Sequence, residues 1–480
     1  MSSRARWWLV AAFIFLAAVR ILIAWQLPIT DDEAYYWTWS QSPQWGYPDH
    51  PPLIAGIIKL TTSLFGDGRL GIRLGPLLFT LATAVVVYVL GRDMFGVPAG
   101  IVAALTSQLL PLVAAGGALA VPDAPFVFFW MLTLWLVWRA RTTAGGRGTY
   151  WVAAGAALGL ALMSKLFAGF LALGLAGFLL TSPADRQWLR TPHPYAAAVL
   201  ALTMTAPFIW WNATEGWPSW VKVSHQIPWI RQGSPAYKAI LYAAAQFVYY
   251  GPLTAPLLAV ALRASARFPR GRDPRFAFLA WTALPIFLVP FILSPGGIPK
   301  PHWPAPAYLV AAVAAAGLWW STARPRRGLL VSALGVNGVL LALLMLQPWI
   351  APSALAQTRG WNQVTAQVDA LARGLPSRPG VFIFSTGYQT ASQLAYRLRG
   401  RYPVTTASTD TTFAHRLPLE RFMHWNGIYV DDDREPIGIP ILRMFTHVRR
   451  LTSITVTVDG GEIRRFVVYR GLDFRDPSTN

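Results

Sequence analysis

Long apolar runs alternate with short polar loops along the first 350 or so positions. The runs fall at about 7–27, 72–91, 97–120, 124–140, 150–164, 166–182, 195–211, 239–262, 276–293, 304–321 and 328–348. Stretches of this length and hydrophobicity are what helices need to cross a bilayer, so the pattern predicts about eleven spans, the shorter ones tilted, broken or re-entrant. The loops between them are asymmetric in charge. With Arg4 and Arg6 on the cytoplasmic side, the even-numbered runs lead into Arg92, then Arg139, Arg141 and Arg147, then Arg186 and Arg190, the Arg263–Arg275 stretch, and Arg324, Arg326 and Arg327. The opposite side receives Asp31, Asp32, Glu33, Asp49, Asp67, Asp123 and Glu215. That partition follows the positive-inside rule. The first run ends at Trp25-Gln26-Leu27-Pro28 without a small-residue cleavage signal, and reads as a retained membrane helix.

From about Pro352 the periodicity shortens to that of a soluble domain. Trp361 to Leu375 is patterned as an amphipathic helix, and Val381 to Phe384 as a buried strand. A second helix follows Gly387 and runs through Arg397, and further strands are expected at Gly427–Val430, Ile454–Val458 and Arg465–Tyr469. The expected fold is therefore a polytopic α-helical membrane domain over residues 1–351, with juxtamembrane outer-loop helices at about 28–70. A small extracytoplasmic α/β domain occupies 352–480, and parity places it outside the cytoplasm.

Composition sharpens this picture. The chain is 54% hydrophobic and 13% charged, which excludes an ordinary soluble domain. Its net charge of +20 would suggest nucleic acid in a soluble protein, but here the arginines sit in short loops between spans. No nucleic-acid partner is expected. Cysteine is absent, so disulfides, thiol catalysis and cysteine metal sites are excluded.

The candidate chemistry concentrates in the acidic loops. Charge beside lipid is expensive, and a cluster of it needs a reason. Thr30-Asp31-Asp32-Glu33 reads as a capping box that opens a short aromatic helix and holds three carboxylates at the membrane edge. In Tyr47-Pro48-Asp49-His50-Pro51-Pro52 the prolines keep an imidazole and a carboxylate on an extended backbone. Asp123 lies between Pro122 and Pro125 at the outer end of a span, and Lys165 interrupts two apolar helices on the same side. The aromatic loop from Trp211 to His225 suits either sugar stacking or interfacial anchoring. Lys300 and His302, locked among prolines, suit a lipid phosphate.

Several of these motifs resemble one family. Asp32-Glu-Ala-Tyr-Tyr-Trp37 followed by Gly46-Tyr-Pro-Asp-His-Pro-Pro-Leu53 is similar to the bacterial GT-C glycosyltransferases. These include relatives of dolichyl-phosphate-mannose protein mannosyltransferase, lipid A aminoarabinose transferases and rhizobial galacturonosyltransferases. Phe65-Gly-Asp67, Arg73-Leu-Gly-Pro76, Pro122-Asp-Ala-Pro125, Ser164-Lys165, Trp211-Asn212 and Lys300-Pro-His-Trp-Pro-Ala-Pro306 support the likeness over most of residues 5–320. The resemblance implies a GT-C fold in a bacterial inner membrane. It also implies transfer of a sugar from a polyprenyl phosphate to a hydroxyl of lipid A, polysaccharide or protein outside the cytoplasm, with inversion. The family's acidic pair maps onto Asp32 and Glu33, the expected catalytic residues, with Asp32 as base. His50, Lys165, Lys300 and His302 are the candidates for the donor phosphate. His50 stands where aminoarabinose transferases carry the lysine of Lys-Pro-Pro. Asp31, Tyr36, Asp49, Asp123 and His225 are the candidate substrate contacts. A divalent ion on Asp32 and Asp123 is compatible with the sequence but not required by it, and no other cofactor is expected. The competing reading, a transporter or flippase of lipid-linked sugars, places its site at the bilayer midplane, where few of these charges fall.

Overall fold

The computed structural model describes all residues except 1–2, 227–233, 268–272, 298, 321–323, 351–357, 378, 408–412, 414–416, 433–442, 459–460 and 476–480. The chain divides into two compact units. The first comprises Met1–Gln26, His50–Ile57 and Arg73–Leu344, and the second Leu27–Asp49, Ile58–Ile72 and Met345–Asn480.

Helices carry the first 350 residues: α1 (Ser3–Gln26), α2 (Asp31–Ser40), α3 (Leu53–Phe65), α4 (Arg69–Phe95), α5 (Val97–Leu109), α6 (Asp123–Thr142), α7 (Arg147–Ser164), α8 (Gly169–Thr181), α9 (His193–Thr214), α10 (Pro218–Gln226), α11 (Pro235–Tyr250), α12 (Thr254–Arg267), α13 (Pro274–Leu293), α14 (Ala305–Ala315) and α15 (Arg324–Ile350). The apolar runs fall largely on helix, and the run at 97–120 is divided, α5 ending at Leu109 before a π-turn over Leu112–Gly116. Among the described residues, Arg69–Phe95, His193–Thr214 and Pro274–Gly296 are long and apolar enough to cross a membrane, and the number rises to five if two bent helix pairs each count as one span.

The run at 239–262 is not a single helix either: it breaks after Tyr250, and α11 and α12 bend by 103°. Gly251 makes the break with φ +92°, and a methyl group there would collide with the amide of Asn337. Within the first unit α14 is buried along its whole length and packs on α5, α12 and α13. Its Tyr308 shares one core cluster with Phe126, Trp130 and Phe278. Small residues let the helices close up, as where α7 meets α9: a Cβ on Gly155 would come within 2.5 Å of the Ala197 carbonyl.

The second unit contains a five-stranded sheet built from β1 (Val381–Ser385), β2 (Val404–Thr406), β3 (Asn426–Asp432), β4 (Phe445–Val458) and β5 (Gly461–Phe474), in the order β2-β1-β3-β5-β4. β1 pairs in parallel with β2 and β3, with Ile383 opposite Val404 and Ile428. β3–β5 and β4–β5 are antiparallel. Two helices join it, α16 (Trp361–Arg373) and α17 (Tyr388–Leu398), each close to the expected span. Phe382, Phe384, Phe422, Tyr429, Phe445 and Phe474 form an aromatic core on the sheet. The same unit includes α2, which packs against α17.

Candidate functional site

In the first unit, one carboxylate gathers the basic residues. Asp123 opens α6 behind Pro122, where a helix start favours negative charge. Lys165 sits in the break between α7 and a 3-10 turn over Leu166–Ala168, with extended backbone angles of φ −152° and ψ 132°. The break leaves no backbone debt at Lys165: its N–H donates to Ala161 O, and its carbonyl accepts from Ala168 N. The Lys165 ammonium is 2.8 Å from both oxygens of Asp123. A buried lysine in so apolar a bundle requires such a partner.

The turn from Lys300 to Pro304 supplies the next two groups. His302 Nε2 lies 4.0 Å from Asp123 Oδ1. The turn is held from below: Tyr250 Oη donates toward the carbonyls of Pro301 and His302 at 3.3 Å each, and Gln246 Nε2 toward Pro301 O at 3.4 Å. Tyr250 in turn stacks on Tyr308 with ring centroids 3.7 Å apart. Phe167, just beyond Lys165, packs on Trp303, just beyond His302, so the two polar breaks are docked by an aromatic pair. His50 completes the group, feeling the charges of Lys165, Asp123, Lys300 and His302. Burial, then the neighbouring lysine, pushes the His50 imidazolium down to about 3. His302 is pushed down to about 4, again by burial and in spite of Asp123. Both imidazoles are therefore neutral at pH 7. Lys300 is exposed and, among the described residues, forms no ion pair. The cluster thus presents one exposed ammonium, one ammonium shared with a carboxylate, and two neutral rings.

The acidic loop belongs to the second unit. Thr30 caps α2: its Oγ1 accepts from Glu33 N at 3.3 Å, and Glu33 Oε2 accepts from Thr30 N at 3.0 Å. The expected capping box is present, and the helix it opens begins at Asp31. Glu33 is fully buried, and its carboxylate serves the helix start. Asp32 is exposed, and its Oδ1 accepts from Tyr388 Oη at 3.0 Å. Asp31 accepts from Gln393 Nε2 at 2.9 Å, and the same amide donates to Ile29 O. Burial raises the Asp31 carboxyl, against the opposing pull of Gln393. Asp49 accepts from Tyr35 Oη at 2.9 Å, and Tyr35 packs on Tyr388 at 4.5 Å. Tyr36 is buried against Trp39. Burial and then the Asp32 carboxylate push the Tyr388 phenol above its ordinary range, which keeps it protonated as a donor.

The structure thus groups the sequence candidates in two sets: Asp123, Lys165, His302, His50 and Lys300 in one unit, and Asp31, Asp32, Glu33, Tyr36 and Asp49 in the other. His225 falls on α10, and its side chain lies outside the described residues. Asn212 braces the aromatic loop, its Oδ1 accepting from Ser219 N at 3.2 Å. Among the described residues no three His, Asp or Glu side chains group to hold a metal ion. Asp123 has both oxygens on the Lys165 ammonium. Sequence reasoning did not find Gln393, Tyr250 or Gln246. The first is distant in the chain from Asp31, and the other two act through backbone carbonyls.

The model of the dolichyl-phosphate-mannose-protein mannosyltransferase family matches residues 49–211. A lipid A galacturonosyltransferase, RgtD, from Rhizobium johnstonii is 28% identical over 388 residues, 78% of this chain and 80% of that protein. The chain is similar to this protein over most of its length. An undecaprenyl phosphate-alpha-4-amino-4-deoxy-L-arabinose arabinosyl transferase from Edwardsiella ictaluri, 29% identical, matches over 60% of this chain and 53% of its own length. The fold agrees: the crystal structure of ArnT from Cupriavidus metallidurans bound to undecaprenyl phosphate superposes with a TM-score of 0.67 at 17% identity, covering 96% of this chain and 97% of the other.

Proposed function

We propose that the chain transfers a sugar from a polyprenyl-phosphate carrier to a hydroxyl of lipid A, at the outer face of the cytoplasmic membrane, with inversion at the anomeric carbon. The observation that carries this reading is the basic cluster around Asp123. A phosphate leaving group needs preorganised positive charge at the lipid edge. Lys300 meets the phosphate directly, and Lys165 shares its charge between Asp123 and the phosphate. The neutral imidazoles of His50 and His302 offer hydrogen bonds without added charge. Asp32, exposed on the first turn of α2, is the base for the acceptor hydroxyl. The names of the relatives support the carrier and the acceptor, and the arginine parity supports the outer location and a count of about eleven spans. Residues 1–351 are the membrane domain in this reading, and 352–480 the outer domain.

The test is transfer by the purified full chain. Undecaprenyl phosphate-linked 4-amino-4-deoxy-L-arabinose and undecaprenyl phosphate-linked galacturonic acid are offered as donors, with lipid A as acceptor. Transfer from one donor, lost in Asp32→Asn and in Lys300→Met and unaffected by chelator, is the expected result. Full transfer by Asp32→Asn overturns the assignment of the base. Silence with both donors, together with donor movement across vesicles, overturns the enzyme reading.

A further inference from the structure

The C-terminal domain places a side chain on the acidic residue to which the transfer reading gives the chemistry. We propose that Tyr388 is a positioning residue for Asp32, holding Oδ1 so that Oδ2 faces the acceptor proton. The proposal rests on the transfer reading above.

Tyr388 is the first residue of α17, immediately after Gly387. Its hydroxyl donates to Asp32 Oδ1 at 3.0 Å, and among the described residues Oδ2 has no hydrogen-bond partner. The phenol is itself held. Its ring packs on Tyr35 at 4.5 Å, and Tyr35 is fixed at its far end by its bond to Asp49. An exposed aspartate on a first helical turn otherwise samples several rotamers. Anchoring one oxygen to an immobile donor selects one of them, which is what a base needs to meet a hydroxyl at hydrogen-bond distance.

The bond is not needed to dock the helix. Gln393 ties α17 to Ile29 O and to Asp31, Tyr396 Oη donates to Asp67 O at 3.0 Å, and Trp37 lies edge-on to Tyr396 at 5.1 Å. The Tyr388 hydroxyl is thus the contact of α17 whose partner is the reacting group. In the step, Oδ2 takes the acceptor proton and the freed electron pair forms the bond to the anomeric carbon. The bond from that carbon to the phosphate oxygen breaks, and its pair leaves with the polyprenyl phosphate.

The experiment compares Tyr388→Phe, Tyr396→Phe and Asp32→Asn in the full chain. The same two donors and lipid A are used, with kcat, donor KM and melting temperature as readouts. Tyr388→Phe keeps the ring contact, and kcat is expected to fall roughly tenfold, the size of a lost hydrogen bond to a charged group, with donor KM unchanged. Tyr396→Phe, which loses only a docking bond, is expected to lower the melting temperature while leaving kcat within about twofold. Wild-type kcat in Tyr388→Phe, or an equal kcat loss in Tyr396→Phe, would each overturn the proposal. Those results leave the transfer reading standing if Asp32→Asn is inactive. Full activity of Asp32→Asn removes both.

Discussion

At the scale of single residues, the Asp123–Lys165 pair separates stability from function. The lysine side chain is 6% exposed and the aspartate 28%. Lys165→Met leaves Asp123 uncompensated and is expected to cost roughly 3 kcal/mol, the low end for breaking a buried pair. Pairing it with Asp123→Leu removes both charges and is expected to recover most of that loss in a thermal melt, because well-packed apolar residues replace such pairs at little cost. Transfer should stay absent in both variants. The two histidines make a second residue-scale prediction. Their folded values, about 3 for His50 and about 4 for His302, lie below the unfolded value of 6.5, so the unfolded chain binds more protons in between. The stability they contribute is complete above pH 6.5 and drains as pH falls toward 4. Melting temperature in detergent should decline over that window, and His50→Gln together with His302→Gln should flatten the decline.

At the scale of elements, the helix starts and breaks carry the site. The capping box was legible because Thr30 and Glu33 stand three apart before an aromatic run, a purely local signal. The resemblance places Glu33 in the acidic pair, and its full burial and bond to Thr30 N give it the cap as well. Glu33→Gln can make both capping bonds and is expected to keep transfer within a few-fold, unlike Asp32→Asn. Thr30→Ala is expected to destabilise by about 1 kcal/mol in denaturant melts. The break at Gly251 is marked in the sequence by Gly251-Pro252, a turn dipeptide, but the apolar residues on either side let the stretch read as one run. Only the packing of Asn337 against that glycine shows why no side chain is tolerated. Gly251→Ala is expected to cost at least about 2 kcal/mol through the forced left-handed backbone. It should also raise donor KM, because Tyr250 and Gln246, which hold the Lys300–His302 turn, lie on the helix that ends there.

At the scale of the whole molecule, the sequence revealed the apolar helices and the separate character of the tail, since both are written in periodicity. It did not reveal which segments form a unit. Residues 27–49 read as a loop of the membrane domain, yet they share a compact unit with the sheet at the other end of the chain. The reason is physical. Tyr388, Gln393 and Tyr396 bond to Asp32, Asp31 and Asp67, partners that no local pattern links to them. Deleting 352–480 is therefore expected to abolish transfer while the rest of the chain still inserts, a result that membrane fractionation beside the transfer assay would check. The same connectivity bears on biogenesis. Asp32 and Tyr388 are 356 positions apart. At ribosomal speeds of roughly 5–20 residues per second, the acidic loop emerges about 20–70 s before the helix that steadies it. On the transfer reading, a nascent chain therefore carries the Asp32 carboxylate unsteadied until α17 has been made, and a product released before Tyr388 is expected to be inactive in the transfer assay.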